Sequence, residues 1–79
     1  MMTLNDLLLK LWYIQNIVVI ESDKFDIVKD SADLSRIKDQ ALFSGPLNKI
    51  QSVNNSHLLS RLVKSYGVID NVFIIIIHN

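Results

Sequence analysis

The chain contains no cysteine, two glycines and one proline in its 79 residues. Without cysteine it has no disulfide bonds, thiolate zinc sites or thiol catalysis. The two glycines, Gly45 and Gly67, are too few for a Rossmann fingerprint or a P-loop, each of which needs several glycines around a phosphate. A chain of this length forms one domain, which we place at residues 1–79, and buries roughly 60% of its unfolded surface.

The net charge of the chain is zero, because eight basic residues balance eight acidic ones. Proteins that bind nucleic acid through phosphates normally carry a basic excess. The charges are unevenly divided, however: residues 1–33 have six acids against three lysines, and residues 34–79 have five basic residues against two acids. This division predicts either an ordinary solvated surface or an acidic patch that meets a basic partner.

Reaction motifs are absent as well. His57 and His78 are far apart in sequence and have no ligand-like spacing to a carboxylate. The aspartates between residues 23 and 33 lack the central glycine and the closing glutamate of a calcium loop. Ser56 precedes His57, but no Gly-x-Ser-x-Gly elbow surrounds it. We therefore predict that the chain is not an enzyme and uses no catalytic residues, metal or cofactor.

Long apolar runs are absent too. The segment Leu7–Ile20 is interrupted by Lys10 and Gln15 and is not followed by a small-residue cleavage site. The apolar run Val72–Ile77 has six residues, whereas a membrane-spanning helix needs about 20. We expect no membrane association and a cytoplasmic location.

The first residues carry helix signals. Thr3 and Asp6 have the spacing of an N-terminal capping box. Leucines then recur at i, i+3, i+4 and i+7 from Leu4, which makes one apolar stripe. These signals predict a helix over Leu4–Tyr13, and a helix of this length needs a sheet to pack on.

The middle of the chain has mixed signals. Ile17–Ile20 is β-branched throughout and predicts a covered strand, with a return strand over Phe25–Val28. Residues 29–40 predict either a short helix capped by Asp30 or Ser31, or a mobile excursion. A short strand is expected at Ala41–Phe43.

The break Ser44-Gly45-Pro46 should end that strand. Pro46 then suits the start of a helical turn with Leu47 and Ile50 facing inward. A further short helix is predicted after Asn55 or Ser56.

The last part of the chain is the clearest. The segment before Ile69 and the run Val72–Ile77 flank Asp70 and Asn71, which have turn chemistry. Six consecutive apolar residues indicate a strand covered on both faces, in the sheet interior. We predict an α+β domain: a small, mainly antiparallel sheet of about four strands, with an N-terminal helix and one or two short helices packed on it.

Five segments carry a resemblance: Thr3–Leu8, Ile17–Ile20, Phe43–Leu47, Leu58–Val63 and Asn71–Ile76. Together they resemble small phage, prophage and conjugative-element proteins of low-GC Gram-positive bacteria, which open with a helix reading T-L-x-D-L-L and end on an apolar strand. The resemblance implies a mobile-element origin and brings no catalytic residues. Some small phage proteins of this size inhibit bacterial defence nucleases, anti-CRISPR proteins among them. Those that mimic DNA are strongly acidic, and this chain is neutral.

We predict a non-catalytic protein-interaction module of phage or mobile-element origin, whose partner is a host or phage protein. The resemblance makes an inhibitor of a host defence enzyme, such as an anti-CRISPR, one such role. The predicted contact residues lie in segment 21–40 and at the end of the first helix: Trp12, Tyr13, Asp23, Asp26, Asp30, Asp33, Arg36 and Lys38.

Two alternatives stay open. A nucleic-acid-binding accessory protein would need its basic residues on one face; these are Arg36, Lys38, Lys49, Arg61 and Lys64. A self-associating protein would pair with a second copy through an uncovered sheet edge.

Overall fold

The helices and strands are short and follow one another closely. The computed structural model describes residues 2–11, 14–24, 34–50 and 56–78. In chain order its elements are α1 (Leu4–Leu8), β1 (Asn16–Glu21), a 3-10 helix (Ser22–Lys24), α2 (Leu34–Asp39), β2 (Phe43–Pro46), α3 (Leu47–Ile50), α4 (Ser56–Leu59), β3 (Val63–Ile69) and β4 (Val72–Ile77).

The strands form one sheet in the order β2-β1-β4-β3. The central strands β1 and β4 run parallel, with Val18 opposite Ile74 and Ile20 opposite Ile76. Each central strand pairs antiparallel with its outer neighbour. This arrangement confirms the predicted α+β fold and its mainly antiparallel sheet. Strand β4 lies between β1 and β3, as its unbroken apolar sequence predicted.

Both faces of the central strands are buried, which explains why they do not alternate apolar with polar residues. On the first face, side chains of α1, α3 and α4 cover one cluster: Leu4, Leu7, Leu8, Ile17, Val19, Leu47, Ile50, Leu58, Ile75 and Ile77. On the second face, Ile37 of α2 packs in another: Val18, Ile20, Ile37 and Ile74. Two opposite layers of helix therefore enclose the sheet centre.

Helix α1 begins at the predicted capping box. Thr3 Oγ1 accepts from the Asp6 amide at 3.2 Å, and Asp6 Oδ2 accepts from the Thr3 amide at 3.3 Å. The helix is shorter than predicted. The amides of Lys10 and Leu11 donate to carbonyls three residues back, which is the 3-10 pattern of a helix end and not the α-helical pattern. Leu9 is exposed at this point. The prediction of a helix through Leu11 was wrong; residues 12 and 13 lie outside the described residues.

Strand β2 is displaced from its prediction. We expected a strand at Ala41–Phe43 closed by a break, but the strand runs Phe43–Pro46 and contains that break. An edge strand accepts Pro46 at its end because no neighbour needs the missing N–H there. Gly45 has φ of 150°, a conformation that other residues avoid. The predicted inward positions of Leu47 and Ile50 are confirmed by their burial.

For residues 29–40, the structure describes a helix over Leu34–Asp39. This helix docks through Ile37, which is fully buried. The helix alternative is therefore confirmed for this part of the segment. Three further predictions lie outside the described residues: the caps at Asp30 or Ser31, the return strand Phe25–Val28, and Asn55 as a cap.

The hairpin of β3 and β4 is confirmed. Asp70 and Asn71 form its two-residue turn, with φ of 50° and 66°. Positive φ at both central residues is the geometry of a type I′ turn, whose twist matches that of the flanking strands. Gln15 Nε2 donates to the Asn71 carbonyl at 2.9 Å and ties the turn to the start of β1.

Candidate functional site

Strand β3 differs from the central strands in its exposure. Every residue from Lys64 to Val68 is exposed, whereas β4 beside it is largely buried. β3 is the last strand of the sheet. Among the described residues, no strand pairs with its outer side beyond one isolated bridge at Leu62. An uncovered outer strand presents unpaired backbone N–H and C=O groups to solvent.

The isolated bridge defines where the uncovered edge begins. The Val63 amide donates to the Met2 carbonyl at 2.9 Å, and the Leu4 amide donates to the Arg61 carbonyl at 2.8 Å. The N-terminal segment thus covers the outer side of the chain up to Val63. We call the outer side from Lys64 to Asp70 the free edge.

An apolar patch lies beside the free edge, formed by Tyr66, Val68 and Phe73. Val68 lies directly opposite Phe73 in the hairpin. The rings of Tyr66 and Phe73 stack with centroids 5.5 Å apart. Phe73 packs against the first-face cluster, but Tyr66 and Val68 remain 54% and 62% exposed. The apolar surface of the core therefore continues to the margin of the sheet, and no described element covers it there.

Arg61 fixes the position of β3. Its Nη2 donates to Glu21 Oε2 at 3.3 Å and to the His78 carbonyl at 2.5 Å. These two bonds join the ends of β1 and β4 to the residue that precedes β3. The guanidinium is partly buried with its carboxylate partner, so the ion pair and its hydrogen bonds stiffen this corner of the sheet. We assign Arg61 a structural role.

The sequence-predicted contact residues divide into two groups. Asp23, Arg36 and Lys38 are described and exposed, whereas the others lie outside the described residues: Trp12, Tyr13, Asp26, Asp30 and Asp33. Asp23 follows the carboxyl end of β1. Lys38 lines a recess beside Asn16 at the opposite end of that strand. The structure therefore does not bring Asp23 and Lys38 together.

The described basic residues are also dispersed. Arg36 and Lys38 are exposed on α2, which covers the second face, and Lys49 is exposed on α3, which covers the first face. Arg61 is engaged with Glu21, and Lys64 is exposed on the outer strand β3. A surface that follows a nucleic-acid backbone needs its cations on one side. In the described part of the chain, the cations do not meet that requirement.

The described surface hollows offer little enclosure. The recess beside Lys38 has a volume of about 150 Å³, whereas pockets for small molecules usually hold about 300–1,000 Å³. Two larger hollows, of about 620 Å³ beside Leu9 and about 420 Å³ beside Leu59, are shallow and wide open to solvent. Among residues 2–11, 14–24, 34–50 and 56–78, no three side chains of metal-binding type come together. None of the described helices has the length and apolarity needed to cross a bilayer.

Sequence reasoning left open an uncovered sheet edge that pairs with a second copy, but it did not locate that edge at β3, although a signal was present. Between Val63 and Ile69, the polar Lys64 and Ser65 and the side-chain-free Gly67 interrupt the apolar residues. Such interruption indicates a strand that is covered less than β4. The sequence pattern identified β3 as a strand, but only the strand order shows that β3 lies at the margin of the sheet.

The chain was also compared with known proteins. No family model, no curated protein and no solved structure matches it.

Proposed function

We propose that this chain is a non-catalytic protein-interaction module, and that it binds a protein strand at the free edge. The observation that carries the proposal is the position of Tyr66 and Val68. Both are exposed apolar side chains beside backbone groups that have no described partner strand. An added strand gains main-chain hydrogen bonds from such an edge, and neighbouring side chains select its sequence.

The surroundings support this mode of binding. The exposed part of the apolar patch continues into Phe73 and the buried first-face cluster, so the patch is held by the core. A binding surface that is already ordered loses less conformational entropy when its partner docks. Arg61 and the Asp70-Asn71 turn hold the two ends of β3 in place. The predicted role as an inhibitor of a host defence enzyme stays a prediction, as does the mobile-element origin.

Matched variants test the proposal in a capture experiment. The tagged full-length chain, its Val68→Lys variant and its Leu9→Lys variant are used as baits in the same bacterial lysate. Val68 and Leu9 are both exposed apolar residues, at 62% and 73%, so both changes place a lysine on the surface. Leu9 follows α1 and is not part of β3. Circular dichroism verifies that each bait is folded.

The proposal expects a prey protein that the unmodified and Leu9→Lys baits retain and the Val68→Lys bait loses. Identical prey from all three baits would contradict binding at the free edge, as would the absence of any retained prey from a lysate that also contains an untagged copy of the chain. The comparison between variants carries the result, because nonspecific capture affects all three baits alike.

A further inference from the structure

We propose that the partner at the free edge is a second copy of this chain, paired β3 against β3 in antiparallel orientation about a two-fold axis at Gly67. This inference rests on the proposed function, because it names the partner of the same surface. A two-fold interface brings the same patch of both subunits together, so the patch must be complementary to itself. Its length, its side-chain pairs and its charges each meet that condition.

The limits of the free edge favour an axis at Gly67. The bridge between Thr3 and Leu62 covers the chain before Lys64, and the hairpin turns back at Asp70. Gly67 is the midpoint of Lys64–Asp70. An antiparallel pair centred there aligns both free edges over their whole length. A pair centred elsewhere leaves part of each edge unmatched.

The side chains favour the same register. Around Gly67, Tyr66 lies opposite the partner subunit's Val68, and the symmetry repeats that contact. Aromatic and β-branched residues directly opposite each other are favourable cross-strand pairs. Centring the pair on Tyr66 instead would set Lys64 against the partner subunit's Val68. Centring it on Val68 would set Tyr66 against the partner subunit's Asp70.

The charges agree as well. In the Gly67 register, Lys64 at the bulge that begins β3 comes level with the partner subunit's Asp70 in the turn, again twice by symmetry. Exposed ion pairs contribute little to affinity, but opposite charges select one register over its alternatives. The self-pairing therefore places cation against anion at both ends and joins the two apolar patches between them.

The glycine suits the axis. Apart from its two chain neighbours, no described residue has an atom within 4 Å of a Cβ atom built at Gly67, so the described part of the chain leaves that place open. The opposite margin of the sheet is the four-residue strand β2, which ends in Pro46. Short edge strands with proline resist further pairing. The assembly therefore closes as a dimer with one continuous sheet.

Single-cysteine crosslinking tests the register, because the chain has no cysteine of its own. Gly67→Cys places the two thiols at the axis, where opposite Cα atoms are about 4.5–5.5 Å apart, within disulfide range. Ser65→Cys is the matched control in the same strand. In this register the two Ser65 positions are offset by four residues, about 13 Å, beyond disulfide range. Asn48→Cys on α3 reports random collisions.

Under mild oxidation, we expect the Gly67→Cys chain to form a covalent dimer at least about tenfold faster than either control. Equal rates for the three variants would overturn the inference, and faster crosslinking of Ser65→Cys would overturn this register. Light scattering of the unmodified chain gives a second test that requires no substitution. The mass should rise with concentration toward twice the 9.0 kDa of one chain, whereas a strict monomer at the highest concentration would overturn the inference.

The result can be separated from that of the proposed function. If the unmodified chain stays monomeric but Val68→Lys still removes a captured protein, the free edge binds a different partner and only the self-pairing is wrong. If Val68→Lys changes neither the solution mass nor the captured proteins, both the proposed function and the self-pairing are wrong.

Discussion

Tyr66 and Phe73 lie on adjacent strands of the terminal hairpin and stack with 19° between their ring planes. Phe73 reaches the buried core, while about half of Tyr66 remains in solvent. The pair therefore links the interior of the domain to the surface that we propose as its binding site. One consequence is that Tyr66 contributes to stability in the single chain as well as to the interface.

Removal of the Tyr66 ring should have a modest effect on the folded chain. Stacked aromatic pairs contribute about 0.5–1.5 kcal/mol beyond the area they bury. We expect Tyr66→Ala to lower the free energy of unfolding by about 1 kcal/mol. Tyr66→Phe keeps the stack and should stay within about 0.5 kcal/mol of the unmodified chain. Urea denaturation at low protein concentration measures both, and equal stability of the two variants would argue against the stack.

A second prediction concerns the turn at Asp70-Asn71. Asn71 has φ of 66°, which glycine adopts freely and β-branched residues avoid. Asn71→Gly should keep or raise stability by a few tenths of a kcal/mol. Asn71→Val should lower it by about 1–2 kcal/mol. The hydrogen bond from Gln15 reaches the backbone carbonyl, so both variants retain it. Thermal unfolding of the pair checks the prediction, and a valine variant as stable as the glycine variant would rule out this turn geometry.

A third prediction concerns the hydrogen bonds of Arg61. Arg61→Leu removes the bonds to Glu21 and to the His78 carbonyl and should lower the free energy of unfolding by about 1–2 kcal/mol. The figure is modest because the pair is about 30% exposed. Lys49→Ala changes an exposed cation and should stay within about 0.5 kcal/mol. Chemical denaturation compares the two, and similar losses would show that Arg61 does not stiffen the corner.

A fourth prediction concerns the packing of α2 on the sheet. Ile37 is fully buried between this helix and the second face of the sheet. Ile37→Val should lower the free energy of unfolding by about 0.5–1.5 kcal/mol, and Ile37→Ala by about 2–5 kcal/mol. The neighbouring exposed residue provides the control, because Lys38→Ala should change stability by less than about 0.5 kcal/mol. A neutral Ile37→Ala variant would mean that α2 does not cover the sheet.

Local signals predicted the parts of this fold that depend on neighbouring residues. The Thr3–Asp6 capping box, the Asp70-Asn71 turn and the buried run of β4 are each set by a few consecutive positions. The end of α1 was misplaced because Leu11 continues the apolar spacing, although its amide bonds only three residues back. Strand β2 was misplaced because Gly45 and Pro46 are usual breakers that an edge strand accepts.

The strand order, in contrast, depends on residues distant in sequence. The parallel pairing of β1 and β4 joins Ile17 to Phe73 across most of the chain, and no local pattern encodes that contact. The same order places β3 at the margin of the sheet. The sequence therefore directed attention to segment 21–40 as the contact region, whereas in the described structure two exposed apolar side chains, Tyr66 and Val68, lie beside an unpaired sheet edge.

Complementary charge variants test the two-fold pairing most directly. Lys64→Glu sets like charges against each other at both ends of the proposed pair, and Asp70→Lys does the same with the opposite sign. Each variant alone should dissociate at least about tenfold more readily than the unmodified dimer. In a mixture of the two variants, both ends again oppose a cation to an anion, because each chain supplies the charge that the other needs.

The decisive measurement is the solution mass of each variant and of their equal mixture, by sedimentation at low salt, after circular dichroism has verified that both are folded. At a protein concentration near the dissociation constant of the unmodified dimer, the account predicts mostly monomer for the separate variants and a mixed dimer for the mixture. A mixture that stays as monomeric as its components, or separate variants that dimerise like the unmodified chain, would contradict the pairing of β3 about Gly67.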